Sequence, residues 1–206
     1  MRKSLLAILL TATVAYAVEA TPKMHCTLSQ EGPVKVTWKA YKTPFKVGVG
    51  GTFDKALYTP AAKEGKNFKE ILVGSTFSID ESSVDSGNKG RDAKLVKFFF
   101  DMMEGATIKA KIITIEADTI ETGKPKTGML TAEITMNNIP KQIPMKYSYE
   151  KGTLTAQGTI DIFDFKGDAA LHALNIACYE KHAGKTWNDV TIGFTTKIKA
   201  LCEPLK

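Results

Sequence analysis

Histidine, cysteine and arginine are the side chains in this 206-residue sequence best suited to work beyond packing, and they are few. The histidines are His25, His172 and His182; His25 lies near the terminus and His182 ends a helical stripe of Leu171, Leu174 and Cys178, as the polar tip of a packed face. Neither a G-x-S-x-G elbow nor an H-E-x-x-H pair occurs, so hydrolase and zinc-protease chemistry lacks a scaffold. Gly48-Val49-Gly50-Gly51 sits inside an alternating segment and opens no helix, which marks a bend rather than a phosphate cradle. The expected inventory is no catalytic residue, no cofactor and no metal. Met24, His25, Cys26 and Cys202 could form a soft copper site, but a disulfide uses the same cysteines.

Arg91 is the only arginine beyond Arg2, although Lys and Arg together number 28. Its planar fork grips two acceptors at once, which an ammonium cannot do. The expected role is a structural clamp of Asp80, Arg91 and Asp92, holding a strand, a polar loop and a helix through Asp80, Asp92 or loop carbonyls.

The elements that would position these groups are mostly strands. Strict alternation gives an apolar face to Val34, Val36, Trp38 and Ala40, and then to Phe45, Val47, Val49, Gly51 and Phe53. Ile71, Val73, Ser75, Phe77 and Ile79 make the third strand. Residues 106–118 make the fourth, with a bulge where apolar parity changes between Ile112 and Ile113. Leu130, Ala132, Ile134 and Met136 form the fifth and Ile143, Met145, Tyr147 and Tyr149 the sixth, joined by the turn Asn137-Asn138-Ile139-Pro140. Leu154, Ala156, Gly158, Ile160 and Ile162 give the seventh, and Val190, Ile192, Phe194, Thr196, Ile198 and Ala200 the eighth. Two short amphipathic helices are expected near 91–104, with Leu95, Phe98, Phe99, Met102 and Met103 in its stripe, and near 168–183.

Eight antiparallel strands with short polar turns predict an all-β, eight-stranded antiparallel barrel, with a sandwich as the alternative. A barrel of this size is either filled by side chains or holds one slender ligand. Its first and last strands would be antiparallel neighbours, pairing Cys26 with Cys202 and leaving Cys178 as a buried thiol.

Residues 1–20 carry the charged, greasy and small-residue parts of a secretory signal, with cleavage after Ala17 or Ala20, so 21–206 is expected to be one exported domain without stable membrane insertion. The formal charge is +6, but the lysines are scattered along the sequence, which argues for a solvated surface and against nucleic acid.

Ser78-Ile79-Asp80, Asn88, Arg91-Asp92, Leu95 and Phe98-Phe99 resemble, in order and near spacing, the run of Ser-x-Asp, Asn, Arg-Asp, Leu and Phe-Phe found in the YceI-like family. Gly51-Thr52-Phe53, Gly128-Met129-Leu130-Thr131 and Ile139-Pro140-Lys141-Gln142-Ile143-Pro144 add to the likeness, which covers roughly residues 34 to 200. The resemblance implies a periplasmic, lipocalin-like barrel that sequesters or transports a polyisoprenoid, quinone precursor or fatty amide. The chain departs from it at Ile162-Phe163-Asp164-Phe165-Lys166-Gly167, which keeps Asp-Phe without the family's arginine. The bore should be lined by Val36 and Trp38, Val49 and Phe53, Val73, Phe77 and Ile79, Leu130 and Ile134, Met145 and Tyr147, Ile160 and Ile162, and Phe194 and Ile198. Phe98, Phe99, Met102 and Met103 would form its lid, with Leu171 and Leu174 beside them. The alternatives are an enzyme acting on a lipid or quinone through His182 or Cys178, and a ligand-free stress-response or interaction module; the assembly is left open between monomer and homodimer.

Overall fold

Period-two alternation yields strands that pair antiparallel, largely in sequence order. The computed structural model describes residues 24–118 and 123–204, so the expected signal segment lies outside the described residues. In chain order the elements are β1 (Met24–Lys42), β2 (Val47–Phe53), β3 (Ala56–Thr59), β4 (Glu64–Gly65), α1 (Phe68–Leu72), β5 (Thr76–Asp80), β6 (Val84–Asp85) and α2 (Lys89–Phe98). There follow β7 (Thr107–Ala117), β8 (Lys126–Met136), β9 (Ile139–Glu150), β10 (Thr153–Asp161), α3 (Asp168–Ala177), α4 (Tyr179–His182) and β11 (Asp189–Pro204). Short 3₁₀ turns occupy Glu81–Ser83, Phe100–Met102 and Ile162–Phe165.

Hydrogen bonding runs β3-β5-β7-β8-β9-β10-β11-β1-β2-β6, with β4 attached to β1. The two ends of that path belong together: β2 continues into β3 through Asp54-Lys55, and β5 continues into β6 through the Glu81–Ser83 turn. These two kinked segments pair with each other as β2 with β6 and β3 with β5, bridged at the kink by Asp54 N to Ser83 O (2.9 Å) and Asp80 N to Lys55 O (3.0 Å). The sheet thus curls back on itself, as expected of an antiparallel barrel, and its eight segments are split at the kinks into shorter strands. Asp80 and Ser83 hold the kink: the Asp80 carboxylate accepts from Ser82 N and Oγ, and Ser83 Oγ donates to the Asp80 carbonyl.

Local signals set the registers. Asn137 and Asn138 have φ of 52° and 57°, both in the left-handed region, and Met136 pairs with Ile139, giving the two-residue turn that matches strand twist. The register slips between Ile112 and Thr114, so that both Ile112 and Ile115 point inward. Cys26 faces Cys202 across β1 and β11, and their sulfurs are bonded. This removes two of the four donors of the copper alternative.

Three expectations are corrected. Ile71 and Val73 are not strand residues. Asn67 caps α1 by accepting from Glu70 N at 3.0 Å, while Glu70 Oε2 accepts from Lys66 N at 2.8 Å, and this reciprocal capping starts a helix before the strand. Phe45 belongs to the β1–β2 turn and is 89% exposed. The lid helix ends at Phe98, and the following 3₁₀ turn advances residues by a third of a turn each, swinging Phe100 inward and Met102 out to 53% exposure.

Candidate functional site

The interior runs between two differently built ends. At one end α1 is a plug: Ile71 and Leu72 are fully buried, and the Phe68 ring lies 6.0 Å from Tyr147 and 5.0 Å from Tyr149, edge-on. Ser75, also fully buried, fixes the plug; its hydroxyl donates to Ile71 O and accepts from Ala61 N and Tyr58 OH. β4 closes the same end on β1 through Leu28 and Gly65. At the other end α2, the Phe100–Met102 turn and α3 form a lid over the strand ends.

Between plug and lid lie three apolar cavities. Measured as volume open to the centre of a water molecule, they are about 90, 100 and 70 Å³. The deepest is bounded by Phe77, Ile112, Ala132, Met145 and Phe194. The middle one is bounded by Phe99, Phe100, Leu171 and Trp187. Both share the walls Trp38, Phe53, Ile108, Met136, Ile160 and Ile192. The third cavity continues from the middle one through Trp38, Ala40, Leu95, Leu174 and Thr186, between α2 and α3. It ends among the partly exposed Lys42, Arg91 and Lys94, with Cys178 in its wall. Each cavity exceeds the roughly 10–15 Å³ a single water needs on this measure.

The expected lining residues therefore separate. Val36, Phe77, Ile79, Ile134, Met145 and Phe194 line the deep cavity; Trp38, Phe53 and Ile160 line the deep and middle ones; Phe99, Ile162 and Leu171 line the middle one; Leu174 joins the middle to the third, where Val49 stands. Leu130, Tyr147 and Ile198 are buried, and Val73 caps α1; none of these four borders the three cavities described. Met103 is buried beneath the lid, Phe98 packs under the Lys97 ammonium 5.3 Å from its ring, and Met102 faces out. Sequence reasoning missed Phe100 and Trp187. Phe100 is displaced from the α-helical stripe by the 3₁₀ turn. Trp187 sits in an unalternating loop, anchored by Nε1 to Thr43 O at 2.8 Å, and only its size signalled it.

Arg91 clamps the loop rather than Asp80 or Asp92. Its Nε donates to Ser86 Oγ at 2.8 Å and its Nη2 to Ser86 O at 2.9 Å. The Asp92 carboxylate accepts from Ser86 N at 2.9 Å and from Ser86 Oγ. Ser86 is thus held on both sides, and α2 starts at Asn88, whose side chain caps Arg91 N. Asp80 belongs to the neighbouring kink, where the Ser82 hydroxyl holds its carboxyl below the usual range. Beside it Glu81 is buried with Oε1 unpaired; burial first, then the nearby Asp80 and Asp101 charges, push its carboxyl up to about 7.

The sequence model of the YceI-like domain matches residues 24–198. The chain belongs to the YceI-like family. No curated protein matches it. Among solved structures, this YceI-like chain is similar to a polyisoprenoid binding domain from Saccharophagus degradans implicated in plant cell wall breakdown, at 14% identity and TM-score 0.56, over 87% of this chain and 100% of that one. It is also similar to BcnA of Burkholderia cenocepacia, at 16% identity and TM-score 0.53, over 81% and 96% of the respective chains. At these identities the likeness is one of fold. In this YceI-like chain, among the described residues, no group of three His, Cys, Asp or Glu side chains is placed to hold a metal ion, and no helix is long and apolar enough to cross a membrane.

Proposed function

We propose that this protein is a periplasmic carrier that sequesters or ferries one long apolar molecule, a polyisoprenoid or a related long-chain amphiphile, inside its barrel. The file of apolar cavities from Phe77 to Lys42 carries this reading, because its shape suits a chain and not a compact ligand. Their shared walls are side chains such as Trp38, Ile108 and Met136, whose rotations would merge them. Each methylene moved from water into such a bore contributes about 0.8 kcal/mol, so a chain of about eight would gain roughly 6 kcal/mol without any polar anchor. The family and the polyisoprenoid-binding neighbour support the class of ligand. Export is supported by the signal-like residues 1–20 and by the Cys26–Cys202 bridge, which suits an oxidising compartment. The carrier acts by sequestration alone, without covalent chemistry.

Solvent extraction of natively purified protein, followed by mass spectrometry, should yield a stoichiometric long-chain lipid, and stripped protein should take up a fluorescent long-chain probe. A protein that yields no lipid and takes up no probe refutes the carrier.

A further inference from the structure

The fold gathers charges and apolar side chains that the sequence spreads apart. The β1–β2 turn, the loop 184–188 and the end of the α3–α4 arm meet beside the third cavity. Thr43 N donates to Lys185 O (2.9 Å), Trp187 N to Tyr41 O (2.8 Å), and Thr186 N to Asn175 Oδ1 (2.8 Å). On the outside of this junction stand Phe45 at 89% exposure, Ile176 at 66% and Tyr179 at 67%. Among them are the cations of Lys42, Lys46, Lys94, Lys181 and Lys185, so scattered lysines in sequence become a cluster in space. Acidic groups here are few: Asp189 is engaged by Lys46 at 2.8 Å, and Glu180 is exposed.

The distribution is one-sided. Of the exposed large apolar residues, Leu57, Met129 and Leu201 stand singly away from the lid, whereas Phe45, Val47, Ile176 and Tyr179 share this junction. Met102 and Phe163 are also at the lid end, but they sit among Asp101, Glu104 and Asp164 and do not join the cationic sector. Isolated exposed apolar groups are ordinary; apolar tips ringed by lysines beside an opening form a surface that suits an interface between hydrocarbon and negative headgroups.

We infer that the sector formed by Phe45, Ile176, Tyr179 and the surrounding lysines docks the lid end onto an anionic lipid bilayer, with the third cavity facing the membrane. Charge complementarity selects the occupant: phospholipid headgroups present the negative surface the lysines match, and the acyl region receives the phenyl and phenol rings. The inference deepens the carrier reading and rests on it for its purpose, since a chain leaving the bore past Leu174 and Lys94 would pass directly into lipid. The contact is peripheral, made by turn and helix tips, and spans nothing.

Cosedimentation of the exported protein, its signal segment removed, with phosphatidylcholine vesicles, with and without phosphatidylglycerol, tests it. Binding should require phosphatidylglycerol and fall with salt. Since each lysine near an anionic surface contributes about a fivefold gain in partitioning, the double variant Lys181→Glu, Lys185→Glu should bind at least about 25-fold more weakly. Phe45→Ser should bind about tenfold more weakly, through loss of apolar insertion. All three positions are exposed, so unchanged thermal unfolding and unchanged probe uptake are the controls. No anionic-vesicle binding by the parent, or full binding by the charge-reversed variant, overturns the inference. So does full binding by Phe45→Ser, which would mean adsorption by charge alone. A protein that docks but takes up no probe refutes the carrier and leaves the docking surface standing.

Discussion

Replacing Glu81 by glutamine should stabilise the protein in alkali and barely change it in acid. The carboxyl is only 3% exposed, one oxygen is unpaired, and the Asp80 and Asp101 charges lie nearby. Its folded-state value is raised from 4.5 to about 7, whereas the unfolded chain keeps the ordinary value. Below about pH 4.5 the group is protonated in both states and costs nothing. Between these values the unfolded chain ionises first, so stability falls as pH rises, and above about 7 the folded protein carries a desolvated charge. At 1.36 kcal/mol per pH unit the full cost is about 3 kcal/mol. Glutamine keeps the shape without the charge. Urea unfolding of parent and Glu81→Gln at pH 4.5, 6 and 8 should therefore give a stability difference that grows from near zero to about 3 kcal/mol in the variant's favour, titrations elsewhere cancelling between the two. A difference that is the same at all three pH values would show that the carboxyl does not titrate with folding, and the account of this kink would fail.

Arg91→Lys should cost about 1–3 kcal/mol in chemical denaturation, because one ammonium cannot hold both the hydroxyl and carbonyl of Ser86; an unchanged midpoint would refute the clamp. Thiol titration of denatured, unreduced protein should find one reactive group per chain, Cys178, and three would refute the bridge. Cys26→Ser with Cys202→Ser should lower stability by up to about 5 kcal/mol, the chain-entropy value for a closure of this length (sequence separation 176). Ala132→Phe, filling the deep cavity, should cut long-chain probe uptake at least tenfold while costing about 1–3 kcal/mol in stability; undiminished uptake would place the ligand elsewhere.

The barrel was legible because one wet face and one dry face leave a period of two. The clearest cases are the β8–β9 hairpin, where Asn137-Asn138 accept positive φ, and the bulge at Ile113, where the apolar parity visibly changes. The pairing of Cys26 with Cys202 followed from strand order. What escaped was structure whose cause is local and short. The kinks at Asp54-Lys55 and Glu81–Ser83 hid the continuations: the strands read from the sequence stop at Phe53 and Ile79, and Ala56–Thr59 and Val84–Asp85 are too short to show an alternation of their own. The plug was hidden because Ile71, Val73 and Ser75 happen to alternate with the strand that follows, although the Asn67–Glu70 capping pair signalled a helix. In the lid, Phe98-Phe99-Phe100 is apolar on every side, and only the change from 3.6 to 3 residues per turn decides that Phe100 enters the bore and Met102 leaves it. Cavity linings depend on side chains from many strands at once, which no single segment encodes.

The α1 plug has a kinetic consequence. For the carrier proposed above, a tube stoppered at one end by Ile71 and Leu72 would load and unload through the lid end, along the same path in opposite directions. Whatever motion of α2 and α3 admits a guest also governs its departure, and any substitution that lowers that barrier must hasten both. Displacement of one guest by another cannot proceed by pushing through from behind: the incumbent has to leave before its successor arrives, so the exchange rate reaches a ceiling set by departure, however abundant the newcomer.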